Sequence, residues 1–431
     1  MALKQLSQTP STLPTPTPQL GFDYDLAIVG GGIVGSTLAC ALKNSGLSVV
    51  LIEAQPPSVE AVKPQAYNLS LLSERIFKGI GVWDKILPEV TTYQQIRLSD
   101  ADHAGTVQFY PTDLGTESLG YIGEHRLLLN SLYEFLAECP KVSWLCPAEV
   151  IDVEYQASGV EIEVKVAGKN CKLRTRLVVA ADGARSRIRT AAGIGTKGWQ
   201  YWQSCVTARI KTEKPHNNTA FERFWPSGPM GVLPLSGNRC QVVWTAPHAE
   251  AQALKELDEV EFLALLERRT GNLLGHLELE SQRFIFPVQL MQSDRYTQSR
   301  LALIGDAAHC CHPVGGQGLN MGIRDVAALA QVLQDAALRG EDIGGEPVLR
   351  RYERWRKLEN WTILGFTDFL DRMFSTSWLP MVMTRRLGLL MLRRIHPFKT
   401  LVLRLMTGLL GRTPQLAQGT KPTKIMAKTA V

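Results

Sequence analysis

The feature that most constrains this chain is a glycine spacing at the end of an apolar run: Asp25-Leu-Ala-Ile-Val29 leads directly into Gly30-x-Gly32-x-x-Gly35. The run predicts a buried strand, and the residues after Gly32 continue as a helix. Ser48 to Ile52 supplies a second strand, and Glu53 stands at its end. In a βαβ unit of this kind the first glycine permits the tight turn, the second lets backbone approach a pyrophosphate, and the third lets the helix pack on the strand. An acid at Glu53 accepts a hydrogen bond from a ribose hydroxyl and repels a ribose 2′-phosphate. The nucleotide expected here is therefore FAD or NAD rather than NADP.

Two further segments repeat the strand, turn and helix order. Leu301 to Asn320 reads LALIGDAAHCCHPVGGQGLN. Its apolar start suits a strand covered on both faces, and Gly305-Asp306 then puts a carboxylate at the strand's carboxyl end, where open α/β sheets bind ligands. After Pro313, the residues Gly315, Gly316, Gln317 and Gly318 strip side chains from a loop, so that backbone N–H groups can approach a planar ring. A helix expected over Leu319 to Leu333 aims its positive end at that ring, which favours an anionic reduced isoalloxazine. Leu177 to Arg189 carries the third instance, with the Asp182-Gly183 turn.

These motifs resemble the FAD-dependent aromatic hydroxylases of the para-hydroxybenzoate hydroxylase class, and within it the ubiquinone-biosynthesis hydroxylase family. The likeness runs from about Asp23 to Arg412. It includes Phe224-Trp-Pro-Ser-Gly-Pro-Met-Gly-Val-Leu-Pro-Leu235 with Val243-Trp244, and Thr367-Asp368 ahead of a basic, apolar tail. The resemblance implies that Gly30, Gly32, Gly35 and Glu53 hold the ADP half of FAD and that Arg126 supports the cofactor. It further implies that Asp306 binds the ribityl chain, that Pro313 and Gly315 to Asn320, with Leu319, line the isoalloxazine, and that Asp182-Gly183 serves both FAD and transient NAD(P)H. Family members carry an Arg within the segment matching Lys63 to Leu69. Gln65 stands at the equivalent place here, with Lys63 and Arg75 as substitutes for the pyrophosphate contact.

The chemistry implied by the resemblance is hydroxylation of an aromatic ring, a polyprenylated phenol in quinone synthesis, with NAD(P)H and O₂ through a flavin C4a-hydroperoxide. The motifs agree with it by exclusion. One GxGxxG leaves no second dinucleotide domain, so the reductant must visit transiently; no CxxC exchanges electrons with the flavin, and the Trp-x-Trp-x-Ile-Pro signature of flavin halogenases is missing. A phenol reacts faster as phenolate, which makes His312 and Tyr201 candidate proton acceptors, although a structural role is the preferred reading of each and no catalytic base is assigned. Trp199, Tyr201, Trp202, Phe221, Phe224, Trp225 and Trp244 are candidates for an aromatic pocket or for core. Other readings are a flavin-dependent epoxidase or isoprenoid reductase, and a non-catalytic flavin-bearing subunit of a quinone-synthesis complex.

Charge is informative once divided along the chain. Eleven of the 47 Lys and Arg lie in residues 372–431 and none of the 41 acids does, so the net charge of +6 comes from the tail. Between Trp378 and Leu410 the bases alternate with leucine clusters too short for a transmembrane helix, which predicts amphipathic helices on an anionic membrane surface, or a helical layer packed on the core. Basic residues among leucines do not make a nucleic-acid groove. The eight scattered cysteines suit free thiols in a reducing compartment, and Cys310-Cys311-His312 lacks distant partners for a metal. The expected protein is cytoplasmic and peripheral on the membrane.

The fold expected is α/β: a discontinuous Rossmann-like FAD-binding domain (23–95, 120–190 and 295–345), a mixed or antiparallel-sheet substrate domain (96–119 and 191–294) and C-terminal helices (346–412). A Pro- and Thr-rich leader (1–22) and a tail (413–431) flank them. Within the substrate domain, strands are expected at Ser204 to Ile210, Gly231 to Leu235 and Cys240 to Thr245, and one helix at Ala249 to Thr270.

Overall fold

The computed structural model describes residues 22–56, 65–101 and 105–419. Five parallel strands run side by side in the order Leu301–Leu303, Lys169–Ala180, Tyr24–Val29, Val49–Ile52 and Val142–Leu145. Tyr24–Val29 lies at the centre and is buried except at Asp25. Both faces are covered, which is why these strands are continuous apolar runs rather than alternating ones. The helix Ile33–Ala41 packs against the helices His125–Leu136 and Gly318–Leu338.

Parallel register decides where the site lies. Gly30, Glu53, Asp182 and Asp306 each follow the last residues of a strand, so four turns from four adjacent strands gather along one edge of the sheet. That edge is the crevice where doubly wound sheets bind nucleotides.

A second sheet has the order His309–Cys310, Phe284–Ser293, Thr196–Thr212, Arg239–Pro247, Met230–Leu235, Thr219–Phe224, Gln95–Asp100 and Thr106–Phe109. Only Thr219–Phe224 and Gln95–Asp100 pair in parallel among these neighbours. Thr196–Thr212 is much longer than the expected 204–210, because an irregularity between Gln200 and Ser204 lets it pair with Phe284–Ser293 on both sides of the interruption. The single helix expected over 249–270 is two, His248–Glu256 and Glu259–Thr270. Asp258 is extended between them, and its carboxylate accepts from the Glu261 N–H at 2.8 Å, a cap that restarts the helix.

One segment crosses the expected domain boundaries, and a small third sheet is not among the expected elements. His309–Cys310, read with the dinucleotide unit, adds to the edge of the second sheet through Met291 and Gln292. Ala66–Leu69 and Val90–Tyr93 both pair with Gly120–Glu124 in a small third sheet.

The C-terminal segment forms the helices Glu346–Phe374, Leu379–Arg394 and His396–Met406. Their inner faces pack on the second sheet: Leu389 and Leu403 join a cluster with Phe224 and Phe374, whose rings stack at 3.7 Å. Arg385 is fully buried, with Nε 2.9 Å from Asp100 Oδ2. The helical-layer reading of the tail therefore holds for one face. Most of the leader and residues 420–431 of the tail lie outside the described residues.

Candidate active site

The glycine turn is shaped by close packing. A Cβ on Gly35 would stand 1.9 Å from the Gly30 carbonyl oxygen, so only glycine lets the helix start so near the strand. A Cβ on Gly32 would meet nothing within 4 Å. That open space fronts the amino end of Ile33–Ala41, where Gly32 is the extended cap residue and no side chain caps the helix. Uncapped N–H groups beside open space suit a pyrophosphate. Glu53 is already oriented: its Oε2 accepts from the Gly31 N–H at 2.7 Å and its Oε1 from the Gln55 N–H at 2.8 Å. The Gly31 carbonyl in turn accepts from Tyr133 and Ser36 hydroxyls.

Asp182 accepts from the Ile188 N–H through Oδ2, whereas its Oδ1 is buried with no partner among the described residues. A lone buried carboxylate oxygen costs about 1–3 kcal/mol unless a donor arrives, and a cofactor's hydroxyl or ring N–H is a donor of the right kind. The residues present thus fit a dinucleotide at this edge.

Asp306 opens onto the cleft at the end of Leu301–Leu303. The enclosing walls raise its carboxyl above the usual range, and His309 pulls the other way. The loop beyond it is held by residues whose polar groups are spent on the protein. Asn320 Oδ1 accepts from the Ser70 N–H and Ser73 hydroxyl, and its Nδ2 donates to the Asn68 and Gly316 carbonyls. Gln317 Nε2 donates to the carbonyls of Gly315 (3.0 Å) and Met406 (3.1 Å). Gly315 and Gly316 take φ of +70° and +62°, and a Cβ on Gly316 would lie 2.9 Å from Asn68 Cβ. Asn320 and Gln317 therefore shape the loop, while Pro313, Gly315, Gly316, Gly318 and Leu319 present it to the cavity. The helix begins at Gly318, without a side-chain cap, and runs to Leu338, five residues past the expected end.

Beneath the Gly305-Asp306 turn lies a buried network with no counterpart in the sequence reading. Asp325 Oδ2 bonds His309 Nε2 (2.6 Å) and the Gly305 N–H (3.1 Å); its Oδ1 accepts from Arg356 Nε (2.8 Å) and Asn360 Nδ2 (3.0 Å). Burial alone would raise this carboxyl, but His309 and Arg356 outweigh it and hold it at about 2. The available signal was an Arg-Asp pair inside an otherwise small and apolar helix.

One cavity of about 630 Å³ joins these parts, a size that suits a cofactor ring and a substrate. Its floor is Asp306 with the Gly315–Gly318 loop, its roof the inward residues Thr207, Glu222, Gly231, Gln241 and Val243 of the second sheet, and its far wall Leu387, Leu392, Phe398 and Val402 of the C-terminal helices. Of the aromatic candidates, Phe221 and Phe224 line it. Trp199 and Trp202 are exposed on the surface, Trp244 packs in the core beneath the roof helices, and neither Tyr201 nor Trp225 reaches the cavity wall.

The two proton-acceptor candidates sit behind the wall. His312 is fully buried, and burial lowers it to about 3, so the ring is neutral. Its Nδ1 accepts from the Val314 N–H at 3.2 Å, which leaves the proton on Nε2, 3.4 Å from Gln203 Oε1 and 3.5 Å from Asp371. Tyr201 donates to Asp368 at 2.7 Å, and burial raises its phenol. Neither faces the cavity: His312 holds the Val314 backbone of the loop, and Tyr201 ties to the long helix Glu346–Phe374 with its ring edge-on to His312. Arg126 is exposed on the first turn of His125–Leu136 and is not among the described residues lining the cavity. Gln65 does line it, accepting from the Tyr67 hydroxyl at 3.2 Å; Arg75 is exposed, and Lys63 lies outside the described residues.

The FAD binding domain family matches residues 23–367. The ubiquinone hydroxylase UbiL of Rhodospirillum rubrum is 37% identical over 91% of each chain, and the 3-demethoxyubiquinol 3-hydroxylase of Escherichia coli is 34% identical over 89% of this chain and 98% of its own. An uncharacterized protein of Synechocystis is 53% identical over 92% of this chain and 96% of its own. Among solved structures, p-nitrophenol 4-monooxygenase from Pseudomonas putida superposes with a TM-score of 0.76 at 20% identity, covering 90% of this chain and 98% of its own, a likeness of fold.

Proposed function

Because the chain belongs to the FAD-dependent hydroxylase family of ubiquinone biosynthesis, we propose that it hydroxylates the ring of a polyprenylated phenol while docked on an anionic membrane surface, with NAD(P)H and O₂ as co-substrates. The FAD, when bound, supplies two-electron reduction by NAD(P)H and activation of O₂. Gly30, Gly32, Gly35 and Glu53 would hold its ADP half, Asp306 its sugar-alcohol chain, and Pro313 to Leu319 its ring system. The protein's own part is to place the substrate ring over that loop, to exclude water with an apolar roof, and to set the amino end of Gly318–Leu338 where negative charge develops.

The observation that carries the membrane-lipid reading is the position of Leu387 and Phe369. Both line the cavity, and both are more than half exposed on the outside. The segment that carries Leu387 and the helix after it also expose Trp378, Leu379, Met383, Leu390 and Leu401, together with Arg386, Arg393, Arg394 and Arg404. Four bases near an anionic surface contribute roughly 1 kcal/mol each, and no described helix is long and apolar enough to cross a membrane. A prenyl tail could pass from bilayer to chamber without crossing water.

Two measurements test this. The FAD-loaded protein with NAD(P)H and ¹⁸O₂ should label a detergent-dispersed prenylphenol in preference to a tail-less phenol; label only in simple phenols removes the lipid substrate. Flotation on phosphatidylglycerol-rich vesicles should be lost in Leu379→Gln/Met383→Gln/Leu390→Gln, which leaves Arg385 and the cavity wall in place. Equal flotation of this variant refutes the docking face.

A further inference from the structure

We propose that Glu222 binds the substrate's ring hydroxyl on the cavity roof and accepts its proton as the ring is oxygenated. This rests on the hydroxylation of a phenol put forward above.

Placement comes first from the alternation of Thr219–Phe224. Ala220, Glu222 and Phe224 line the cavity, Phe221 borders both sides of the strand, and Arg223 lies on the opposite face with Arg97. Directly across the ladder from Glu222 is Gly231, and a Cβ there would lie 3.5 Å from Glu222 Oε2. The missing side chain keeps room for the carboxyl on a roof that also carries Thr207, Leu233, Gln241, Val243, Thr245 and Phe286.

The surroundings give Glu222 nothing to bind. No hydrogen bond or ion pair involves it among the described residues, although it stands in a largely apolar chamber. An unpartnered carboxyl on the roof of a largely apolar chamber asks for a ligand with an O–H donor on a flat apolar body, which describes a hydroxylated aromatic ring.

The step balances simply. The substrate O–H bond breaks, a Glu222 O–H bond forms, and the electron pair stays on the ring oxygen, where it makes the ring more nucleophilic. No electrons pass to or from the carboxyl. O₂ supplies the inserted oxygen, NAD(P)H the two electrons, and the ring carbon releases its own proton when aromaticity returns.

Burial raises Glu222 to about 8, with no charged neighbour contributing. The titratable groups around it are Cys205 on Thr196–Thr212, with two strands between them in the same sheet and raised by its own burial, and Asp306, Cys310 and Cys311 on the cavity floor; Arg385 on the C-terminal wall is held by Asp100. A carboxyl raised this far is mostly protonated at neutral pH, so its accepting form grows as pH rises toward 8.

The test uses full-length, FAD-loaded protein, its Glu222→Gln and Glu222→Leu variants, and a short-tailed prenylphenol with its O-methyl ether. Binding is read from perturbation of the flavin spectrum between pH 6 and 9, and turnover from product. Wild type should bind the phenol with a preference over the ether that grows with pH, and kcat/KM should rise to a plateau above about pH 8. Glu222→Gln should keep its FAD, lose that pH dependence, and fall roughly 10²-fold or more in turnover. A Gln variant that keeps the pH rise and turns over within threefold of wild type overturns the assignment. A wild type with Glu222-dependent, pH-linked phenol binding but no hydroxylated product keeps the assignment and removes the function it was drawn from.

Discussion

Gly32→Ala separates a cofactor role from a structural one, because the two predict opposite results. In the free protein the new methyl meets nothing within 4 Å, and Gly32 already has φ −62° and ψ −179°, which alanine adopts readily. Restricting the unfolded chain stabilises by about 0.4–1 kcal/mol, and alanine's poorer capping costs a similar amount. The net change in apo-protein stability should fall within about 1 kcal/mol. The same methyl would occupy the open space at the amino end of Ile33–Ala41, and losing one charge-assisted contact there costs about 1.5–3 kcal/mol. FAD affinity should thus drop roughly ten- to hundredfold. Gly35→Ala is the control: its methyl would collide with the Gly30 carbonyl oxygen, so the apo protein should lose about 1–3 kcal/mol or fail to fold. Apo stability comes from urea denaturation, and affinity from titrating FAD into apoprotein and following flavin fluorescence. Unchanged FAD affinity in Gly32→Ala, or a large loss of apo stability, would refute the assignment of that space to the pyrophosphate.

Two further outcomes follow from the floor of the site. Asp306→Ala should purify with little flavin while keeping its circular dichroism, and a variant with full flavin content would remove Asp306 from the cofactor site. Asp325, held below the ordinary carboxylate range, contributes stability that is fully present above about pH 4 and is lost as pH falls toward 2. That contribution is on the order of 2 kcal/mol. Asp325→Asn should flatten this acid limb in urea melts between pH 5 and 2.5, and an unchanged limb would place the acid sensitivity elsewhere.

The cofactor edge was legible because each of its turns is local. Gly30 to Gly35, Glu53, Asp182 and Asp306 each follow an apolar strand within a few residues, and parallel register then brings them together whatever the rest of the chain does. The roof was less legible because its chemistry depends on which way a strand faces. Glu222 could have been singled out from the alternation Ala220, Glu222, Phe224, but only by knowing that this face turns toward a cofactor. The Asp325 network draws on residues 309, 325, 356 and 360, and Asp100 meets Arg385 across 285 positions. No local pattern encodes pairings that the topology alone creates. His312 and Tyr201 attracted attention by residue type, and both lie behind the cavity wall, His312 bonded to the loop backbone and Tyr201 to Asp368.

The route of the chain around the cofactor loop explains why roof, loop and tail must act as one unit. From Asp306 it leaves the parallel sheet, lends His309–Cys310 to the roof sheet, and returns through Pro313 to Gly318 into a helix of the dinucleotide unit. Both sheets therefore determine where the loop sits. The tail bears on it as well: Gln317 donates to the Met406 carbonyl at the end of the last long helix, and a Cβ on Gly315 would lie 2.2 Å from Met406 Cε. That same helix pair frames the cavity mouth and carries the exposed leucines. A surface that seats the tail thus also steadies the loop under the ring, and removing the tail outright would strip the wall of the cavity together with its docking face. For this reason substitutions on the outer face alone, sparing Arg385 and Met406, distinguish loss of docking from loss of the site.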